Sequence, residues 1–182
     1  MINDASSAGV QRGGLFNISE IRILICYILN AINEPVPVNM MANVLHYEGI
    51  ANGFEVSDAV VSLANNGLIV QVDDKDDTYT VTNGGKEVAD TLKTSLSITV
   101  KERAYLATMK MFAKFKNAKD NIIEITKENG ATYITCSAID GGKPFMSVKM
   151  LISDESQGNC IKEKFLENPT KIYSALIDLL TE

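Results

Sequence analysis

Ser57, Ser62 and Asn65 lie in FEVSDAVVSLANN, where Val56, Ala59, Val60 and Leu63 repeat at helical spacing. With those four residues turned to a core, the helix exposes Ser57, Asp58, Val61, Ser62 and Asn65. Hydroxyls and a carboxamide combine donor and acceptor, so Ser57, Ser62 and Asn65 suit hydrogen bonding to base edges in a DNA groove. Lys75 and Lys86 follow in sequence and offer ammonium groups to phosphate oxygens. A second set is Arg103, Lys110 and Lys114, which share one face at 100° per residue. They belong to residues 101–119, which hold six Lys or Arg and one acid, Glu102. Such a face can meet phosphates or an acidic partner, and its plainest reading is a solvated helix surface.

Other reactive residues lack the company that chemistry needs. Asp73, Asp74, Asp76 and Asp77 form an acidic tip, but Lys75 and Tyr79 occupy positions where a calcium loop requires a ligand and a turn glycine. His46 is the single histidine and has no cysteine near it in sequence. Gly84-Gly85 has no phosphate-cradling pattern around it and reads as turn chemistry. Cys26, Cys136 and Cys160 are far apart and odd in number, as expected for free thiols in a reducing cytoplasm. No nucleophile elbow or triad signature is present. The expectation is therefore a protein that is not an enzyme and uses no cofactor and no metal.

The elements that would carry these residues follow from periodicity. Asn17 with Glu20 forms a variant capping box, and Phe16 with Ile21 a hydrophobic staple, for a first helix. Its stripe is Ile21, Leu24, Ile25, Ile28, Leu29 and Ile32, and Pro35 and Pro37 end it. Asn39 is expected to cap a second helix over 40–47, and Gly49 and Gly53 bracket the turn into the third. Gly67 closes that helix with a left-handed cap. Strands over 68–72 and 78–81 flank the acidic tip, and Thr82 caps a fourth helix over 83–93 with Val88, Ala89, Leu92 and Leu96 inward. Thr99 with Glu102 suggests a capping box for a fifth helix reaching about residue 117. Three strands over 122–127, 132–139 and 145–152 are joined by Asn129-Gly130 and Gly141-Gly142, two short-hairpin signals. A helix over 155–166 follows. Asn168-Pro169 then opens a last helix with Ile172, Tyr173, Leu176, Ile177 and Leu180 on its apolar face.

Three helices followed by a two-stranded flap is the order of a winged helix-turn-helix. The fold class expected is α+β: an N-terminal winged helix-turn-helix domain, then a three-stranded antiparallel meander with flanking helices. The divisions are a poorly ordered start over 1–16, a winged-helix domain over 17–96 and an α+β domain over 97–182. Charge divides along the same line. Residues 1–95 carry five basic and twelve acidic residues, a net of −7; residues 96–182 carry twelve and eleven, a net of +1. The longest apolar run, residues 23–29, is too short to cross a membrane, and the first residues lack the layout of a signal peptide.

The pattern resembles a bacterial family of transcriptional regulators, the domain of unknown function 4364 family. The resemblance runs from Ile18 to Leu180. It rests on IRILICYIL, on NGF at 52–54, on LANNGLIV, on TYTVTNGGKEVADTL, on the three-strand region and on ENPTKIYSALIDLL. It implies a winged-helix domain, an α+β domain and, by analogy of fold, DNA binding. The expected protein is a cytoplasmic DNA-binding transcriptional regulator. It acts as a homodimer, with DNA as partner, and its second domain supplies pairing or the sensing of a small-molecule or protein effector. The alternative is a protein-interaction module on the same scaffold, to which the acidic first half points.

Overall fold

The computed structural model describes residues 9–73 and 77–181. The chain divides into two compact units, 1–112 and 113–182. The division falls inside a helix, later than the change of charge at 96. The reason is local: Lys101 Nζ donates to the Lys93 carbonyl at 2.8 Å, and the Arg103 guanidinium donates to the Glu48 carbonyl at 2.6 Å. Both bonds tie the start of that helix to the first unit.

In the first unit, α1 (Ile18–Ile32) is the central element. Asn17 caps it by accepting the Ser19 N–H at 2.8 Å. Every residue of the expected stripe is buried, and so are Ile23 and Cys26, so α1 is enclosed more completely than one stripe implies. It packs against α3, α4 and β3. Burial pushes the Cys26 thiol up to about 11. Asn33, at φ 55°, ends the helix in the left-handed region, one residue before the prolines could act. Phe16 is left 41 % exposed, which weakens the staple.

Two expectations change here. Val36–Pro37 is a short strand, β1, and α2 (Val38–Tyr47) starts directly after it. Asn39 therefore lies inside the helix and caps nothing; the N-cap position is Pro37, which has no side-chain acceptor. α3 (Gly53–Asn65) begins with Asn52 accepting the Phe54 N–H at 2.9 Å and turns Val56, Ala59, Val60 and Leu63 inward. Gly67 follows at φ 68°. β2 (Ile69–Asp73) and β3 (Thr78–Val81) form an antiparallel pair whose register shifts between Gln71 and Asp73. With β1 they make a sheet of order β1-β3-β2.

Thr82 caps α4 (Asn83–Leu92), its hydroxyl oxygen accepting the Gly85 N–H at 3.3 Å. Gly85 is thus helical and not part of a turn. Ala89 and Leu96 are buried as expected, but Leu92 is exposed. A 3₁₀ turn (Lys93–Ser95) leads to α5 (Ile98–Asp120). Its first turn is capped by Ser97, whose hydroxyl oxygen accepts the Val100 N–H at 3.2 Å, so Thr99 and Glu102 do not form the capping box. Residues 9–16, assigned to the poorly ordered start, are tied down: Gln11 N–H donates to the Gly49 carbonyl at 2.9 Å and Leu15 N–H to the Ile50 carbonyl at 2.7 Å.

The second unit is a meander of order β4-β5-β6 (Ile122–Glu128, Ala131–Asp140, Lys143–Ile152) with α6 (Glu155–Glu167) and α7 (Pro169–Thr181). Asn129-Gly130 and Gly141-Gly142 all have positive φ, the conformation a two-residue primed turn requires. Alternation along β5 buries Ile134, Cys136 and Ala138, which join Met146, Ile152, Phe165 and Leu166 in one core. Burial also raises the Cys136 thiol, whereas Cys160 is exposed. On the opposite face Lys149 Nζ donates to both Glu128 carboxylate oxygens at 2.6 and 2.7 Å and lies 4.8 Å over the Tyr133 ring. Asn168 caps α7 by accepting the Lys171 N–H at 2.9 Å. Of the expected apolar face, Ile172 and Leu176 pack on the core, but Tyr173, Ile177 and Leu180 are exposed, together with Leu179.

Candidate nucleic-acid interface

The outer surface of α3 is set by what its inner surface must do. With Val56, Ala59, Val60 and Leu63 buried, Phe54, Asp58, Val61 and Asn65 fall on one line at intervals of four, three and four residues. All four are exposed; Phe54 is 84 % and Val61 58 % accessible. Ser57 and Ser62 flank the line and are half-buried. Ser57 Oγ donates to the Gly53 carbonyl at 3.1 Å, one turn back along the helix. The Ser62 carbonyl accepts from the Asn66 carboxamide at 2.7 Å. Of the three residues expected to read base edges, Asn65 stands fully outward, while Ser57 and Ser62 present only their edges.

The basic residues are dispersed. Lys75 lies outside the described residues. Lys86 is half-buried in the first turn of α4, where its N–H donates to the Thr82 carbonyl at 2.9 Å. Arg103 is spent on the end of α2: its guanidinium donates to Glu48, the C-cap of that helix, and a cation there complements the helix dipole. Lys110 is exposed in the first unit, and Lys114 is half-buried in the second. The face expected from helical spacing therefore has one member with a structural task. Lys101 is engaged too, with its ammonium 5.9 Å over the Tyr27 ring as well as on the Lys93 carbonyl. Lys93 pairs with Asp90 at 3.0 Å. Neither α2 nor α3 contains a lysine or arginine.

Sequence periodicity did not single out Phe54, the most exposed residue of α3, or Tyr47, 83 % exposed at the end of α2. The signal for Phe54 was available: it lies four residues before Asp58 and seven before Val61, so it shares their face. Among the described residues, no three or more His, Cys, Asp or Glu side chains gather where they could hold a metal ion, and no helix is long and apolar enough to cross a membrane.

No curated protein and no solved structure matches the chain. A family model does, the Domain of unknown function (DUF4364), and it covers residues 21–180. That match includes most of α1, the α2–α3 pair, both sheets and nearly all of α7, so the chain belongs to the DUF4364 family.

Proposed function

We propose that the first unit is a winged helix-turn-helix, and that the protein is a cytoplasmic transcriptional regulator which places α3 in the major groove of duplex DNA. The observation that carries this reading is the position of α3. It is the third of three helices, it precedes the β2–β3 hairpin, and its line from Phe54 to Asn65 is open to solvent. In this reading Asn65 contacts a base edge, and the flanking Ser57 and Ser62 contribute through their exposed edges. Asp58 lies on the same line and opposes phosphate, so binding rests on few cations. Arg12, which is exposed, and Lys86 are the described candidates, and Lys75, which lies outside the described residues, is a third.

The test is titration of the purified chain into mixed duplex DNA at two salt concentrations. Two or three phosphate contacts give a slope of log K against log salt of about −2 to −3, since each neutralised phosphate contributes about −0.9. The regulator pairs through its second unit, where the exposed residues of α7 offer an apolar surface to a second copy. A small-molecule or protein effector acts on the same second unit.

A second reading is favoured by the chemistry of the line itself. Phe54 and Val61 are large, apolar and exposed, Tyr47 ends the neighbouring helix, and no cation accompanies them on α2 or α3. Such a surface suits an apolar anchor on a protein partner with a basic rim. Absence of duplex binding at micromolar protein and low salt favours this interaction module over the DNA reading.

A further inference from the structure

A cleft between α2 and α3 borders the surface described above and shares Phe54 and Ser57 with it. It has a volume of about 600 Å³, within the range of small-molecule sites. Asn39, Asn43 and His46 line it from α2, and Phe54 and Ser57 line it from the start of α3. Gly53 forms part of its floor: a side-chain carbon there would stand 3.7 Å from the Ala42 carbonyl oxygen and from His46 Cβ, in ordinary contact. Among the described residues no lysine, arginine or carboxylate lines the cleft, and His46 is its one ionisable side chain, so the lining suits a ligand that is mainly neutral.

The groups present select a chemistry. Asn39 and Asn43 are one helical turn apart, so their exposed carboxamides follow each other along one wall. Each carboxamide presents a donor and an acceptor side by side, the complement of a nucleobase edge such as adenine N6 and N7. Phe54 supplies an open ring face at the rim, and aromatic faces hold unstacked bases regardless of sequence.

We propose that the α2–α3 cleft binds a nucleobase, stacked on Phe54 with its edge read by Asn39 and Asn43. The base comes either from a free nucleoside or from a nucleotide unstacked from a strand. The site does not require the duplex reading, because an unpaired base suffices. Phe54 also begins the outer line of α3, so an occupant and a duplex compete for that ring.

The experiment is a titration of the full chain with adenosine and, separately, with a short single-stranded oligoadenylate. It is followed by ¹H–¹⁵N NMR at the Asn39 and Asn43 side-chain amides and the backbone amides of residues 53–57. The expected result is saturable shifts at these positions. Phe54→Ala and the double variant Asn39→Ala/Asn43→Ala each weaken binding at least about tenfold, with the rest of the spectrum unchanged because all three side chains are exposed. Gly53→Ala, which the spacing accommodates, raises the floor and weakens binding without loss of fold. Binding of adenosine assigns the site to a free nucleoside, and binding of the oligoadenylate alone assigns it to a base in a strand. Absence of shifts at millimolar ligand, or shifts unaltered by Phe54→Ala, overturns the proposal.

Discussion

Gly85 occupies the first turn of α4, where its lack of a side chain lets the helix lie directly on the chain leaving α3. A Cβ there would collide with the Leu68 carbonyl oxygen and would stand 2.6 Å from Val81 Cγ2. The carbonyl cannot retreat easily, because the Thr82 N–H donates to it at 3.0 Å and the Thr82 hydroxyl lies within bonding distance of both the Gly67 and Leu68 carbonyls. Gly85→Ala is therefore expected to destabilise the first unit by about 2–3 kcal/mol, as overpacking against fixed atoms does. Thermal or urea unfolding of the variant measures this; an unchanged midpoint would mean that α4 can shift outward. The Gly84-Gly85 pair shows how far the demand for a single residue can lie from its own neighbours in sequence. Gly67 and Asn129-Gly130 were legible because a positive φ is demanded locally. The need for Gly85 comes from a carbonyl seventeen positions earlier, which no local pattern reports. Arg103 is similar: helical spacing places it on a basic face, but its partner, Glu48, is set by the tertiary fold.

Helices with a local cap and a regular stripe were readable as elements, and α1, α3, α4, α6 and α7 start within a residue of where caps and spacing place them. β1 was not, since two residues, one of them a proline, become a strand only by pairing with β3, at Val36 with Tyr79 and Pro37 with Thr78. The α2 start moved for the same reason, because the helix takes its lead from that strand. Caps also make a prediction about acid. The Gln157 N–H, the Ser153 hydroxyl and the Ser156 N–H hold the Asp154 carboxyl below its ordinary range, at the head of α6. A carboxyl lowered in the folded state supports the fold above its unfolded pKa and loses that support as pH falls through the folded value. Stability of the second unit should decline below about pH 4. Asp154→Asn, which keeps an acceptor and removes the charge, should lose less stability over the same range in urea titrations. An identical acid dependence in both proteins would remove Asp154 from the explanation. Glu128, lowered chiefly by its hydrogen bond to Lys149, contributes with the same sign.

At the scale of the molecule, the α7 face and the α3 line carry the two proposed contacts, a second copy and DNA. Leu179 and Leu180 are 74 % and 81 % exposed on a helix whose Ile172 and Leu176 already serve the core, so the apolar stripe continues past the sheet it covers. Exposed apolar area of this kind marks association surfaces. Replacing both leucines by aspartate should convert the protein to monomers in sedimentation equilibrium and leave the fold intact. A wild-type chain that is monomeric at tens of micromolar would contradict the pairing. Composition reports where charge changes, and packing divides the chain within α5. The acidity of the first half was legible from the start. Asp58, Val61 and Asn65 of the exposed line follow from the inner stripe of α3 in the sequence, and the structure adds Phe54. The central claim is that this line meets DNA, and Asp58 tests it most directly, since it is exposed and has no packing role. Asp58→Lys should strengthen duplex binding about tenfold or more at low salt and steepen the salt slope by about one unit, because a repelled phosphate becomes a neutralised one. The matching control, Asp178→Lys on α7, should leave the slope of the original chain nearly unchanged. Equal affinity and slope for the original chain and Asp58→Lys would place the DNA surface elsewhere, and α3 would lose the role assigned to it.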